Sequence, residues 1–127
     1  MSSVSLLILT LNEECNLRRC LDSLTWCDDI VVLDSFSTDA TESIAGDYHC
    51  RFVQRVFDNY AAQRRFGLND ITYKHPWVLM VDADEILTKE LYQEIQTTVT
   101  NCGDDIVLFR FRRKDHFLGK WIKHSSG

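Results

Sequence analysis

The stretch WVLMVDADE at residues 77–85 is the part of the sequence from which the fold can be argued. Trp77, Val78, Leu79, Met80 and Val81 run without polar alternation, which suits a strand covered on both faces, as in a parallel sheet flanked by helices. Asp82, Asp84 and Glu85 then place three carboxylates where the strand leaves the core, and open α/β sheets bind ligands at the carboxyl ends of their strands. Residues two apart on a strand project together, so Asp82 and Asp84 are expected to share a face with carboxylates roughly 6–7 Å apart. At an effective dielectric near 20 they repel by about 2.5 kcal/mol, a large part of a domain stability of roughly 5–15 kcal/mol. A hard divalent cation shared with substrate phosphates would offset that repulsion. The competing reading is that Asp84 and Glu85 simply open the next helix, where acids interact favourably with the N-terminal dipole.

The surrounding chain supports one domain. It has 127 residues, 45% hydrophobic and 26% charged, an ordinary globular balance long enough to bury about two thirds of its unfolded surface. A formal net charge of −5 argues against general affinity for nucleic acid. The opening run MSSVSLLILT is short and lacks a basic flank, so it reads as a core strand instead of a signal peptide or membrane span, and a cytoplasmic location is expected. Cys15, Cys20, Cys27, Cys50 and Cys102 are odd in number and contain no C-x-x-C pair, which indicates reduced packing residues, with neither a disulfide framework nor a zinc site.

Strand and helix patterns alternate along the chain. Residues 4–10 form an apolar run followed by a turn at Leu11, Asn12 and Glu13, and then Leu17, Cys20, Leu21 and Leu24 recur at helical spacing. Residues 30–33 give a second buried strand with Asp34 at its end, and a helix at 41–45 is expected to be capped by Ser37 or Asp39. A third strand is predicted at 51–56, a helix at 60–68 with Tyr60, Ala61, Arg64 and Leu68 on one face, a helix at 88–99 capped by Thr88, and a fifth strand at 106–111. This alternation predicts an α/β fold with a doubly wound, mostly parallel sheet, and right-handed crossovers bring Thr10, Asp34 and Asp82 to one rim.

Neither G-x-G-x-x-G nor G-x-x-x-x-G-K-[ST] occurs, so a phosphate-bearing ligand needs another anchor. Arg64 and Arg65 suit bidentate pairing with phosphate oxygens, although two arginines on a helix also suit a solvated face. Asp34 and Glu13 could each accept hydrogen bonds from a nucleoside or serve as turn residues. Acids at three strand ends together with an arginine-bearing helix are best explained jointly by a site for a nucleoside diphosphate and a metal ion.

The segments SLLILTLNEECNLRRCLDSL, DDIVVLDSFSTDAT, DNYAAQRRFGL and WVLMVDADE resemble, in order, the signature segments of family 2 glycosyltransferases with the Rossmann-like GT-A fold. The resemblance is closest to bacterial lipopolysaccharide or lipooligosaccharide core β-glucosyltransferases. It implies a UDP-sugar donor, with glucose the expected sugar, a Mg2+ or Mn2+ ion, and a lipopolysaccharide core acceptor. By position, Thr10, Asn12 and Glu13 would border the nucleoside, Asp34 would contact the uracil, Arg64 would lie near the diphosphate, and Asp82 and Asp84 would match the metal-binding D-x-D, Asp84 as the direct ligand. Arg65 stands where the family often has asparagine. The family pattern places the acceptor-binding half and the catalytic base about a hundred residues further on, so residues 1–127 are expected to be the donor-binding domain alone, with Glu85, Asp115 and His116 the remaining candidates for a base.

Arg110, Arg112, Arg113, Lys114, Lys120 and Lys123 are interleaved with Phe109, Phe111, Phe117, Leu118, Trp121 and Ile122. Such a mixture can rest on an anionic inner-membrane face, or it can be a half-exposed strand packing against further protein. Two other functions stay open at this point: a truncated, non-catalytic module that binds UDP and metal, and a receiver-like phosphoacceptor domain, against which the four ordered segments argue.

Overall fold

The computed structural model describes residues 4–75, 77–101, 108–113 and 116–123. In chain order the elements are β1 (Val4–Thr10), α1 (Leu17–Asp22), β2 (Ile30–Asp34), α2 (Thr41–Asp47), β3 (Arg51–Gln54), α3 (Tyr60–Asn69), β4 (Trp77–Asp82), α4 (Lys89–Asn101), β5 (Leu108–Arg113) and β6 (His116–Lys123). The described strands form one sheet in the order β3-β2-β1-β4-β6-β5. The first four are parallel, whereas β6 runs antiparallel to both β4 and β5.

Both faces of the parallel part are covered, which is why β1, β2 and β4 read as apolar runs. Leu6, Ile8, Val32, Leu79 and Val81 pack on one face with Leu17, Leu21 and Leu24 of the α1 region, Ile44 of α2 and Ile95 of α4. Leu7, Val31, Leu33 and Val78 pack on the other face with Ile71 and Tyr73, beside half-buried Phe66, Leu68 and Met80. At the amino end of the sheet, buried Asp29 accepts hydrogen bonds from Ser5 Oγ (2.6 Å), Arg51 Nη2 (2.8 Å) and the Lys74 backbone N–H (2.8 Å), joining β1, β3 and the approach to β4.

The predicted elements are present with local differences. The strand expected at 106–111 is β5, shifted to Leu108–Arg113, and the alternating Arg/Phe segment continues into β6, which inserts between β4 and β5. A short connection can only reverse the chain, so an antiparallel pair follows where the longer helical crossovers gave parallel ones. For α2, Ala40 occupies the capping position without a side-chain bond, and Asp39 instead accepts from the Thr41 backbone N–H (2.9 Å) and Thr41 Oγ1 (2.5 Å). The side of α3 turned to the sheet carries Gln63 and Gly67, not the apolar stripe that such a helix usually shows. An added Cβ at Gly67 would stand 2.6 Å from Leu7 Cδ2, so the helix lies closer to β1 than any larger residue allows.

Candidate functional site

The carboxyl ends of β1, β2 and β4 open into a cavity of about 630 Å³, within the usual range for small-molecule sites. Its floor comes from Leu9 and Thr10 of β1, Ser35 just after β2, and Met80 and Asp82 of β4. Its walls come from Leu11, Glu13, Ala83 and Asp84 on the loops, and from Phe57, Tyr60, Gln63 and Arg64 at the start of α3. Asn59 sets the beginning of that helix, accepting the Ala62 backbone N–H at 2.8 Å.

Asp82 and Asp84 line this cavity together with Arg64. The route differs from a simple strand alternation. The strand ends at Asp82, and residues 82–85 make a tight turn in which the Glu85 backbone N–H donates to the Asp82 carbonyl (3.0 Å) while Glu85 Oε1 accepts the Asp82 backbone N–H (2.8 Å). The turn holds both aspartates toward one space, and Ala83 between them is buried. Glu85 is occupied in closing the turn and does not line the cavity, and Asp115 lies outside the described residues.

Water reaches Asp82 through the cavity, yet the protein packed around it disfavours its charged form. That burial raises its pKa above the ordinary carboxylate value, Asp84 adds to the rise, and the positive charge of Arg64 opposes it. The pair therefore carries an electrostatic cost in the ligand-free protein. Two carboxylates and an arginine at one opening suit a hard cation completed by phosphate oxygens. Among the described residues no group of three or more His, Cys, Asp or Glu side chains could hold a metal ion by itself.

Asp34 does not reach the cavity. It is fully buried and paired in the ladder opposite Thr10, and its oxygens accept from Thr10 Oγ1 (2.7 Å), Ser37 Oγ (2.5 Å), the Ser37 backbone N–H (2.7 Å) and Gln54 Nε2 (3.3 Å). Burial alone would raise its pKa, but the hydrogen bonds from Ser37, Thr10 and Gln54 outweigh it and hold the carboxylate below the usual range. In this structure Asp34 ties Thr10 to the next loop, and its neighbour Ser35 lines the opening. Asn12 is exposed and outside the lining, with φ +53°, its Oδ1 accepting the Thr38 backbone N–H (2.8 Å) and its own N–H donating to Ser37 Oγ (2.7 Å). Arg65 is exposed and outside the lining, whereas Thr10, Glu13 and Arg64 belong to it.

Sequence patterns did not mark Ser35, Gln63, Phe57 or Tyr60 as site residues. Phe57 and Tyr60 flank the Asp58-Asn59 cap in the sequence, but isolated surface aromatics are too common to mark a site.

The sequence profile of glycosyl transferase family 2 matches residues 5–126. The lipopolysaccharide core biosynthesis glycosyltransferase LpsC of Rhizobium meliloti is 36% identical over 121 residues, covering 91% of this chain and 44% of that protein. An uncharacterized glycosyltransferase of Rickettsia bellii is 32% identical over 121 residues, covering 94% and 37%. The chain thus spans less than half the length of these relatives. Among solved structures, Mycobacterium tuberculosis glucosyl-3-phosphoglycerate synthase in complex with Mn2+, UDP and glucosyl-3-phosphoglycerate aligns with a TM-score of 0.69 at 26% identity, covering 87% of this chain and 44% of that one. Staphylococcus aureus TarS 1–349 in complex with UDP-GlcNAc aligns with a TM-score of 0.65 at 25% identity, covering 76% and 30%. A mannosyltransferase of Pyrobaculum calidifontis shares the fold, with a TM-score of 0.74 at 20% identity over 95% of this chain and 44% of that one.

Proposed function

Because the chain belongs to glycosyl transferase family 2, we propose that it forms the donor-binding part of an inverting, metal-dependent glycosyltransferase that takes a hexose, glucose, from a UDP-sugar. The observation that carries this reading is the convergence of Asp82, Asp84 and Arg64 on one cavity at the carboxyl rim of the sheet. A fold-related protein bound to UDP and Mn2+ supports the nucleotide and the cation, and the likeness to LpsC supports a lipopolysaccharide core acceptor.

In this proposal Asp84 and Asp82 would hold a Mg2+ or Mn2+ ion, and when bound it would supply Lewis-acid stabilisation to the UDP leaving group. Arg64 adds a guanidinium beside the same phosphates, so negative charge that develops on the leaving group meets positive charge already in place. Thr10 and Glu13 border the nucleoside, and Asp34 keeps Thr10 in position from beneath. Inversion also needs a base for the acceptor hydroxyl proton. We assign that base to the portion of the longer relatives that this chain does not span, since Glu85 is committed to its turn. The mixed basic and aromatic sequence of β5 and β6 supports peripheral contact with an anionic membrane surface near the acceptor. Among the described residues no helix is long and apolar enough to cross a membrane.

The test is to incubate the purified protein with UDP-glucose, UDP-galactose and UDP-GlcNAc plus Mn2+, with and without lipopolysaccharide core oligosaccharide, and to follow UDP release and product mass. Preferential UDP-glucose turnover supports the proposal. Metal-dependent UDP binding with no turnover would instead leave a donor-binding module.

A further inference from the structure

We propose that Arg55 and Gln63 set the polarity of the Ser35 hydroxyl, making it a hydrogen-bond donor to the nucleobase of the donor nucleotide and a determinant of base choice. This rests on the UDP-sugar reading above. Arg55 Nη1 donates to Gln63 Oε1 at 2.9 Å, and Gln63 Nε2 donates to Ser35 Oγ at 3.1 Å. A guanidinium has no acceptor, so the amide oxygen must face Arg55 and the amide NH2 must face Ser35. The Ser35 oxygen is therefore an acceptor inside the protein, and its own proton is left to point elsewhere. Ser35 lines the cavity, and no described residue supplies an acceptor for that proton.

The relay is held rigidly. Gln63 is 1% exposed, and Arg55 is fixed by Asp58 (3.0 and 3.3 Å) and lies 5.5 Å from the Phe66 ring centroid. The Ser35 backbone N–H donates to the Thr10 carbonyl at 3.0 Å. Such a chain is more than a capping arrangement, since it carries a charge-fixed orientation from the surface to one hydroxyl in the cavity.

Its position points to the base. Strands β2 and β4 flank β1, so the rim at Ser35 lies two strand spacings, roughly 10 Å, from the rim at Asp82. With a diphosphate at Asp82 and Asp84, the ribose occupies the middle and the base reaches Ser35. The part of a pyrimidine furthest from its ribose is position 4, which is a carbonyl acceptor in uracil and an amino donor in cytosine. On the same side Phe57 and Tyr60 line the cavity as an edge-to-face pair, centroids 5.2 Å apart, with Tyr60 66% exposed. An exposed aromatic surface beside a single aimed donor is suited to a flat heterocycle.

The experiment is calorimetric titration of the chain with UDP and with CDP, each with Mn2+. For the native protein UDP should bind more tightly than CDP by about tenfold or more. Ser35→Ala should weaken UDP about tenfold and CDP less than twofold, and Ser35→Thr, which keeps the hydroxyl, should restore the preference. Gln63→Glu replaces the amide donor by an acceptor while remaining paired with Arg55, so the Ser35 proton turns inward and the preference should collapse or reverse toward CDP. An unchanged UDP-to-CDP ratio in both Ser35→Ala and Gln63→Glu, with Mn2+-dependent UDP binding intact, overturns this inference alone. Failure of the native protein to bind either nucleotide overturns it together with the donor-site reading.

Discussion

Replacing Asp84 by asparagine should make the ligand-free protein more stable while abolishing its stabilisation by metal and nucleotide. Asp82 carries a raised pKa, caused first by burial and then by Asp84, so the folded state holds a proton there more tightly than the unfolded chain does. Above the folded pKa, ionised Asp82 is destabilising, and the penalty is relieved as pH falls toward the unfolded value near 3.9. Two like charges sharing one opening repel each other, the more strongly the less water screens them. Both carboxylates are exposed to the cavity's water, which reduces the recoverable part to about 0.5–1 kcal/mol. For a chain of this length that corresponds to a Tm increase of roughly 2–5 °C. Thermal unfolding at pH 7 in low salt should show this increase for Asp84→Asn, and the difference from the native protein should shrink by pH 4. Adding Mn2+ with UDP should raise the native Tm and leave the variant unmoved. A variant less stable than the native protein at pH 7 without metal, or equal stabilisation of both by Mn2+ and UDP, would refute the reasoning.

Other consequences follow from the same geometry. Asp34→Asn puts an NH2 group where donors already converge, and should cost about 2–4 kcal/mol in urea unfolding. Because the Asp34 carboxylate is held below the usual range, its contribution is complete above about pH 4 and is lost as pH falls through the folded pKa, which a native-minus-variant stability profile between pH 6 and 2.5 should show. Gly67→Val drives new atoms into fully buried Leu7 and should lower stability by about 2–3 kcal/mol, seen as a lower urea midpoint at unchanged m-value. Burial pushes the thiols of Cys20 and Cys27 up to about 12 and that of Cys50 to about 11, so iodoacetamide at pH 8 should label exposed Cys15 ahead of these three in the native protein, as peptide mass spectrometry would record.

The parallel core was legible in the sequence because strands buried on both faces must be apolar throughout, and residues 4–10, 30–33 and 77–81 were. Asp82 and Asp84 were legible as a pair even though a turn, not continued strand alternation, brings them to one opening. Asp34 and Ser35 were not distinguishable, since one residue decides which side chain stays in the ladder and which leaves it. Gln63 and Arg55 were silent because their roles exist only through contacts between β2, the loop after β3 and α3. The order of β5 and β6 was likewise hidden: an alternating Phe/Arg segment states that a strand exists but not which neighbour it joins or in which direction.

The central claim is that Asp82, Asp84 and Arg64 form a cation-dependent diphosphate site, and calorimetric titration with UDP tests it most directly. Saturable one-to-one binding with Mn2+ present, lost on chelation with EDTA and lost in Asp84→Asn, is the predicted result. Binding that is equally tight without the metal, or unaffected by the substitution, would contradict it.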